Sequence, residues 1–293
     1  LYHSLSRSLI EQPVVAEWSQ LGLDHLGQVI AEGTVTLSLN PFGNYTSTVV
    51  QNNYQALKSR FVVTQAFSRT ESRAFDGVRT LNEGFLDYSY TLGNETQASL
   101  TQVHPSDRLA YINPLTGFAY ATLLKRVDER EFQTDSVFGT GLNEVTLNFD
   151  FNGDGDKVDT GIAGVLSRSI DILGSVTFSA GQTDYLILKG RALADVATNR
   201  SLAKVFDGAR TTSLQVLQYR YDLTNTHLLG ANELPVLLGD LFGTGNDEAG
   251  LDFDFDGNGS AQDTAVAATL TQTLDVLGTI NRVVTRNAYI APS

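Results

Sequence analysis

The feature that most constrains this chain is an acidic loop that occurs twice. Residues 148–159 read NFDFNGDGDKVD, and residues 252–263 read DFDFDGNGSAQD. Both follow a Phe-Gly-Thr-Gly turn that begins at Phe138 and again at Phe242, so the copies lie 104 residues apart. Acidic or amide side chains at alternate positions, with Gly at the sixth, are typical of loops that turn their oxygens towards one calcium ion. The pattern predicts two calcium sites.

The ligand positions follow from where each loop begins. A frame that begins two residues after Asp252 would put Ala265, which has no side-chain oxygen, at position 12. The frame therefore begins at Asn148 and Asp252, with Asp154 and Asn258 ligating through their carbonyl groups at position 7. The predicted metal ligands are Asn148, Asp150, Asn152, Asp154, Asp156 and Asp159 in the first loop, and Asp252, Asp254, Asp256, Asn258, Ser260 and Asp263 in the second.

Over these 12 residues, each loop resembles EF-hand-like and dockerin-like calcium-binding loops, the latter also ending in Asp. The resemblance implies Ca²⁺ as the cofactor at two sites, and it extends no further along the chain. The first loop should bind more weakly, because Asn148 and Asn152 occupy positions 1 and 5. The alternative is an Asp-Gly-rich turn exposed to solvent, but two copies that keep the ligand spacing favour calcium.

A longer duplicated segment precedes each loop. Residues 54–77 match residues 185–208 without gaps at an offset of 131, and both segments end in Phe-Asp-Gly. Because 131 exceeds 104 by 27, the first copy carries about 27 additional residues, which lie within residues 93–136. Insertions in repeat proteins often form surface loops and can carry function. This insertion is either an elaborated hairpin or a contact surface, and in the second case Tyr111, Phe118 and Tyr120 are the candidate contacts.

Hydrophobic periodicity predicts the elements around the loops. Apolar residues at helical spacing follow each loop. Apolar and polar residues alternate just before each loop and again after each predicted helix, as in strands. Asp-Gly pairs indicate hairpin turns. Arg79 and Arg210 are identical at the offset of 131. Structural salt bridges are their expected role, and ligand binding is the alternative. The predicted elements are helices over 162–173 and 266–277, strands over 145–151, 174–181, 251–255 and 278–285, hairpin turns at 76–77 and 207–208, and a degenerate helix and strand within 24–40.

These elements predict a β-rich α+β fold made of tandem, internally duplicated units. Each unit contains a helix, a strand, a hairpin and a calcium loop, and a partial third unit follows. The predicted division places the first unit, with an N-terminal helix and strand and the 93–136 insertion, at residues 1–160. The second unit and the partial third unit occupy residues 161–293.

Composition limits the partners. The formal charge of −13 opposes binding to nucleic acid phosphates, and eight of the 33 acidic residues lie in the two loops. No segment of the sequence approaches the roughly 18 to 20 apolar residues of a transmembrane helix. Weak calcium sites fill at the millimolar concentrations found outside cells, so the loops predict an extracellular or cell-surface location.

Catalysis has little support in the sequence. The chain has four His and no Cys, and it contains no G-x-S-x-G, H-E-x-x-H or phosphate-loop motif. A glycoside hydrolase carboxylate pair stays open, because that chemistry depends on a separation in space. We expect no enzyme activity.

The sequence therefore predicts a secreted, calcium-stabilised structural or surface protein, such as a filament subunit, a surface layer or an adhesin segment. The partial third unit predicts an uncovered sheet edge, which the N-terminal helix and strand would cover within the chain or a second molecule would cover by head-to-tail strand donation. The alternative function is an extracellular module that binds a glycan or another small ligand, although Trp18 is the only tryptophan.

Overall fold

The computed structural model describes residues 34–39, 43–57 and 60–290. The chain is strand-rich, with 52% strand and 11% helix, which confirms the predicted β-rich α+β class. The predicted N-terminal helix and Trp18 lie outside the described residues, whereas the strand predicted within 24–40 is present at Thr34–Leu39. The helices of the described residues are all short, and none of them has the length and apolar character of a membrane span.

The strands and helices are numbered here in chain order. The strands are β1 (Thr34–Leu39), β2 (Tyr45–Leu57), β3 (Arg60–Arg73), β4 (Arg79–Tyr90), β5 (Leu124–Glu129), β6 (Glu131–Gln133), β7 (Gly161–Ala163), β8 (Val165–Ile170), β9 (Val176–Leu188), β10 (Arg191–Lys204), β11 (Arg210–Tyr221), β12 (Leu228–Glu233), β13 (Pro235–Leu237), β14 (Ala265–Ala267), β15 (Thr269–Leu274), β16 (Ile280–Thr285) and β17 (Tyr289–Ile290). The helices are α1 (Pro105–Tyr111), α2 (Asp135–Phe138), α3 (Glu144–Leu147), α4 (Leu238–Phe242) and α5 (Glu248–Leu251), and a 3₁₀ turn covers Gln97–Ser99.

One antiparallel sheet of 13 strands runs through both predicted units. Its main path is β1-β2-β3-β4-β8-β9-β10-β11-β12-β17, so the pairing of β4 with β8 crosses the predicted boundary at residue 160. One edge of β4 pairs with two strands, with β8 along the first half of β4 and with β5 along the second half. β11 divides in the same way between β15 and β12.

The element bounds repeat at the two spacings seen in the sequence. β2, β3 and β4 have the same lengths as β9, β10 and β11, which begin 131 residues later. β5 to β8 correspond in the same way to β12 to β15 at a spacing of 104. This agreement is what the predicted duplication would produce, and the common ancestry of the two units stays an inference from sequence.

The Phe-Asp-Gly segments form the predicted hairpin turns. Gly77 has a φ of +90° and Gly208 a φ of +97°, values that favour glycine. In each turn the Asp carboxylate accepts a hydrogen bond from the backbone two residues later, at 3.2 Å for Asp76 and 2.9 Å for Asp207. Turn geometry alone therefore accounts for the repeated triplet.

The two helices predicted after the loops are wrong, because both segments form pairs of short strands. β7 and β8 replace the helix over 162–173, and β14 and β15 replace the helix over 266–277. β8 pairs on both sides, with β4 and β9, so its backbone groups are satisfied by the sheet. Helical spacing over a short apolar run also fits a strand when tertiary pairing is available. The strands predicted over 174–181 and 278–285 are confirmed as parts of β9 and β16.

The main hydrophobic core lies under this sheet and contains residues from both loops' surroundings. Phe151, the fourth residue of the first acidic loop, is fully buried, and its ring centroid lies 5.0 Å from that of Phe138. Phe138 in turn contacts Phe178 on β9 at 5.2 Å. The second loop is anchored less deeply, since Phe255 packs against Phe242 at 5.6 Å while Phe253 is 58% exposed.

The insertion packs against β9 and has its own small core. His104 donates its backbone N–H to the Ile187 carbonyl at 2.8 Å, and Ile187 donates to the Gln102 carbonyl at 2.7 Å. Tyr111 is buried in this core, and its hydroxyl donates to the Leu124 carbonyl at 2.9 Å. Tyr111 is therefore unsuitable as a contact residue, whereas Phe118 and Tyr120 are partly exposed.

A buried ion pair joins β3 to β4. The Arg69 guanidinium and the Glu83 carboxylate face each other across the strand pair, and both side chains are almost completely buried. Ser136 at the start of α2 donates a further hydrogen bond to Glu83 at 2.9 Å. Glu83 thus connects the sheet to the segment that leads into the first acidic loop.

Replacement of Glu83 by Ala should lower the free energy of unfolding by about 3 to 5 kcal/mol, because it leaves the Arg69 charge buried without its carboxylate. Urea unfolding measures this loss. The matched control is Glu71→Ala, since Glu71 pairs at 2.8 Å with Arg73 at the surface and should contribute less than about 1 kcal/mol. Equal losses in the two variants would contradict a special role for the buried pair.

Glu129 at the end of β5 connects the insertion to β9 and carries a shifted pKa. Its carboxylate accepts the backbone N–H of Thr183 at 2.9 Å, but burial outweighs this bond and raises the pKa of Glu129 to about 7. The folded chain therefore holds a proton on Glu129 that the unfolded chain releases near its ordinary pKa of 4.5. This contribution to stability is complete below about pH 4.5 and is lost as the pH rises through about 7.

Glu129→Gln should remove this part of the pH dependence, so that the variant gains stability relative to the parent chain between about pH 4.5 and 7. Melting temperatures across that range measure the difference. Glu95 gives a control of opposite sign: burial raises its pKa, but hydrogen bonds from Lys125 and the Leu92 backbone lower it to about 2. Glu95→Gln should therefore lose stability at neutral pH and little at pH 2, and a parallel response of the two variants would contradict both assignments.

Candidate metal centres

Each acidic loop begins at the end of a one-turn helix, where strands were predicted over 145–151 and 251–255. Those two strand predictions are wrong, because side chains cap the helix starts. The Asn143 side chain accepts the Thr146 N–H at 3.0 Å before α3, and the Asp247 side chain accepts the Gly250 N–H at 2.8 Å before α5. Local capping of this kind competes with strand formation.

A buried glutamate on each helix organises the loop that follows. Glu144 is fully buried, and its Oε1 accepts the backbone N–H groups of Phe151 at 2.5 Å and Asn152 at 3.1 Å. Glu248 is also fully buried, and it accepts the N–H groups of Phe255 at 2.8 Å and Asp263 at 3.2 Å. The two loops therefore wrap around equivalent carboxylates.

The tight turn of each loop closes on one aspartate. Asp150 accepts the N–H groups of Gly153 and Gly155, the latter at 3.1 Å. In the second loop, Asp254 accepts the N–H of Gly257 at 2.6 Å and of Gly259 at 2.8 Å. All four glycines have positive φ, between +72° and +97°, which the turn requires.

Each loop brings three carboxylates together. Oxygens of Glu144, Asp156 and Asp159 lie within 4.8 Å of one another in the first loop. Oxygens of Glu248, Asp254 and Asp256 lie equally close in the second loop. Clusters of hard oxygen ligands suit a hard dication, so each group could hold a metal ion.

The remaining predicted ligands take part in turns and hydrogen bonds within the loops. Asn148 and Asp252 adopt left-handed conformations, with φ of +51° and +49°, and end α3 and α5. Asn152 donates to Asp159 at 2.5 Å and to Asp154 at 3.1 Å. In the second loop, the Asn258 amide donates to Asp263 at 2.5 Å, and Ser260 donates its N–H to Asn258 at 2.7 Å. Asp256, a member of the second cluster, also pairs with Arg286 at 3.1 Å.

In the first loop the pKa values of Glu144 and Asp159 are raised, first by burial and further by neighbouring carboxylates. Burial raises the pKa of Glu144 to about 7, against hydrogen bonds from Phe151 and Asn152, and the charges of Asp150 and Asp159 raise it further. The pKa of Asp159 is also raised, by desolvation and by the neighbouring charge of Asp154. Glu144 Oε2 has no hydrogen-bond partner among the described residues. A cation would offset this repulsion and satisfy the buried oxygen.

Sequence reasoning missed Glu144 and Glu248, because both lie four residues before the predicted frames. A signal was present in the duplication, since the two glutamates are 104 residues apart and each follows a capping Asn or Asp. Glu144 lies outside the twelve loop positions from which the ligands were predicted. Its role arises from burial, which brings its carboxylate back towards residues 156 and 159.

The segment that leads into the first loop also contacts β11, a strand of the second predicted unit. Arg210 on β11 donates Nη2 to the Leu147 carbonyl, the last residue of α3, at 2.6 Å. The expected salt bridge of Arg210 is thus replaced, in the described structure, by a hydrogen bond to the backbone. This contact holds the end of α3 against the face of β11.

Glu144→Gln and Glu248→Gln should each weaken calcium binding at their own loop by roughly 10- to 100-fold, because each removes a charge from a cluster and loosens the loop backbone. Isothermal titration with calcium measures both sites. Asp76→Asn is the matched control, since Asp76 lies in a hairpin turn away from the clusters. Unchanged calcium affinity in both glutamine variants would exclude these carboxylates from the sites.

Comparison of the chain with protein-family models, with curated proteins and with solved structures found no match. The fold and the two loops therefore carry the functional inference without support from a relative. The carboxylate clusters are the structural features that such an inference can use.

Proposed function

We propose that this protein is a secreted, calcium-stabilised structural or surface protein, of the kind that forms filaments, surface layers or adhesive segments. The observation that carries this proposal is a cluster of three carboxylates at each of two loops spaced by 104 residues. The two clusters share the buried glutamate, but the first uses the aspartates at 156 and 159 and the second those at 254 and 256. Each cluster combines a buried glutamate with loop aspartates, so a bound ion would connect a core side chain to a surface turn. Calcium binding would then stabilise the packing of both units.

The proposed role of calcium is to fix the loops against the sheet. Phe149 and Phe151 lie in the main core, and the first loop's carboxylates lie on the same short segment. A site with the affinity of extracellular calcium modules, at a few millimolar calcium, would contribute roughly 1 to 2 kcal/mol to folding. Such weak sites fill outside cells, which supports the proposed extracellular or cell-surface location.

Self-association by strand pairing is part of this proposal. Within the described residues, β1 pairs only with β2 and β16 only with β15, whereas the corresponding strands β8 and β9 are paired on both sides. Leu39 on β1 is 72% exposed and Ile280 on β16 is 49% exposed. A second molecule could add strands at these edges in head-to-tail fashion.

Electron microscopy of the purified chain in millimolar calcium, and again after excess EGTA, tests the proposal. We expect filaments or sheets that shorten or disappear after chelation, together with a lower melting temperature. Monodisperse particles in both conditions, with an unchanged melting temperature, would contradict the calcium-stabilised assembly. A lower melting temperature without filaments would keep the calcium role and exclude self-association.

A glycan-binding role is the second candidate, and the exposed aromatic side chains of the insertion favour it. Phe118 is 44% exposed and Tyr120 is 46% exposed, beside the polar residues Asn113 and Thr116 in the same turn. Aromatic faces beside polar groups suit sugar rings. Binding on a glycan array that is lost in Tyr120→Ala but retained in Tyr54→Ala, an exposed tyrosine on β2, would support this role.

A further inference from the structure

A cavity of about 520 Å³ lies between the first acidic loop and the sheet of the second half. Its walls come from the loop, from β10, β11 and β15, and from α4 with the turn that follows it. Its lining mixes side chains of different chemistry, with Thr212 and Gln272 among the polar ones and Leu241 and Leu274 among the apolar ones. The first loop closes one side, so the cavity lies at the contact between the two duplicated segments.

Arg200 on β10 lines this cavity and lacks a counter-ion. Only 8% of the residue is exposed, and its Nε has no hydrogen-bond partner. No ion pair of Arg200 exists within the described part of the chain. The guanidinium lies directly under the loop, since a Cβ added at Gly153 would be 2.6 Å from Arg200 Cζ. A buried cation without an anion is costly, so this position calls for a negative ligand.

The residue of the first predicted unit that corresponds to Arg200 shows which group Arg200 lacks. Arg69 lies 131 residues before Arg200, and its cross-strand partner is Glu83. The cross-strand partner of Arg200 is Leu214, at the same spacing of 131 from Glu83. The first half therefore supplies a carboxylate to its arginine from within the chain, and the second half supplies leucine and an open cavity instead.

The charges around the cavity favour a monovalent anion. Its lining contains three cationic side chains, Lys157, Arg200 and Arg210, against the carboxylates of Asp150 and Asp240, which leaves a formal charge of +1. A planar carboxylate matches the fork of a guanidinium and the single excess charge, whereas a divalent phosphate would face two acidic neighbours.

We propose that this cavity is a binding site for a carboxylate-bearing ligand, with Arg200 as its main contact. The ligand carboxylate takes the place that Glu83 occupies beside Arg69. The carboxylate belongs to a small organic acid or to an acidic sugar, and the volume and polar lining accommodate either. The first acidic loop forms one wall of the site, but Arg200 and Arg210 are held by β10 and β11, so the cationic wall does not require a bound calcium ion.

Titration of the ¹⁵N-labelled full chain with sodium acetate and with sodium glucuronate, in calcium-free buffer, tests this proposal. The Nε–Hε signal of Arg200, assigned by its loss in Arg200→Met, should move in a saturable way in the millimolar range as the free Nε–H gains an acceptor. Sodium chloride at equal ionic strength controls for screening. Tenfold tighter binding of glucuronate than of acetate indicates an acidic sugar, and equal binding indicates a small organic acid.

Thermal unfolding gives a second readout with matched variants. Glucuronate or acetate should raise the melting temperature of the parent chain and of Arg69→Met, but not that of Arg200→Met. Leu214→Glu should also abolish the response, because it supplies Arg200 with an internal carboxylate; if that variant fails to fold, the Arg200→Met comparison still decides. The proposal is overturned if no carboxylate shifts the Arg200 signal, or if Arg200→Met responds like the parent chain.

Discussion

The structure depends on two long strands, β4 and β11, that each pair with two different partners along one edge. The first half of β4 pairs with β8 and the second half with β5, and β11 divides in the same way between β15 and β12. Between β5 and β8, and again between β12 and β15, the chain must leave this sheet and return to it. The acidic loops, with their short helices, lie on these excursions, so strand pairing determines where the carboxylates are held.

Within each excursion, a buried glutamate replaces the regular hydrogen bonding that a strand would have provided. Glu144 and Glu248 accept backbone N–H groups from the loops that follow them, and each places a buried carboxyl group beside loop aspartates. The same charges that organise the loop repel the loop aspartates. Fixed geometry and closely grouped carboxylates are the physical basis for proposing a cation at each loop, and in the second loop Arg286 already pairs with Asp256.

The two predicted units differ in how they pair one buried arginine. Arg69 has an internal carboxylate partner, whereas Arg200 has Leu214 across the strand and a cavity beside it. The first loop covers this cavity, and Arg210 attaches the loop to the sheet. Similar backbones therefore support two different electrostatic environments, one closed by the chain and one open to a ligand.

The sequence by itself determined the hairpin turns and the acidic loops, because Gly and Asp set turn geometry through the local backbone. The spacing of the predicted units followed from identical residues at fixed offsets. It predicted strands at 174–181 and 278–285 correctly. Tertiary structure decided the segments that follow and precede the loops: short apolar runs fit a helix or a strand, and pairing of β8 with β4 and β9 selected the strand. It also decided which carboxylates meet, since Glu144 reaches the first cluster through burial, and which arginine lacks a partner, since cross-strand register places Leu214 opposite Arg200.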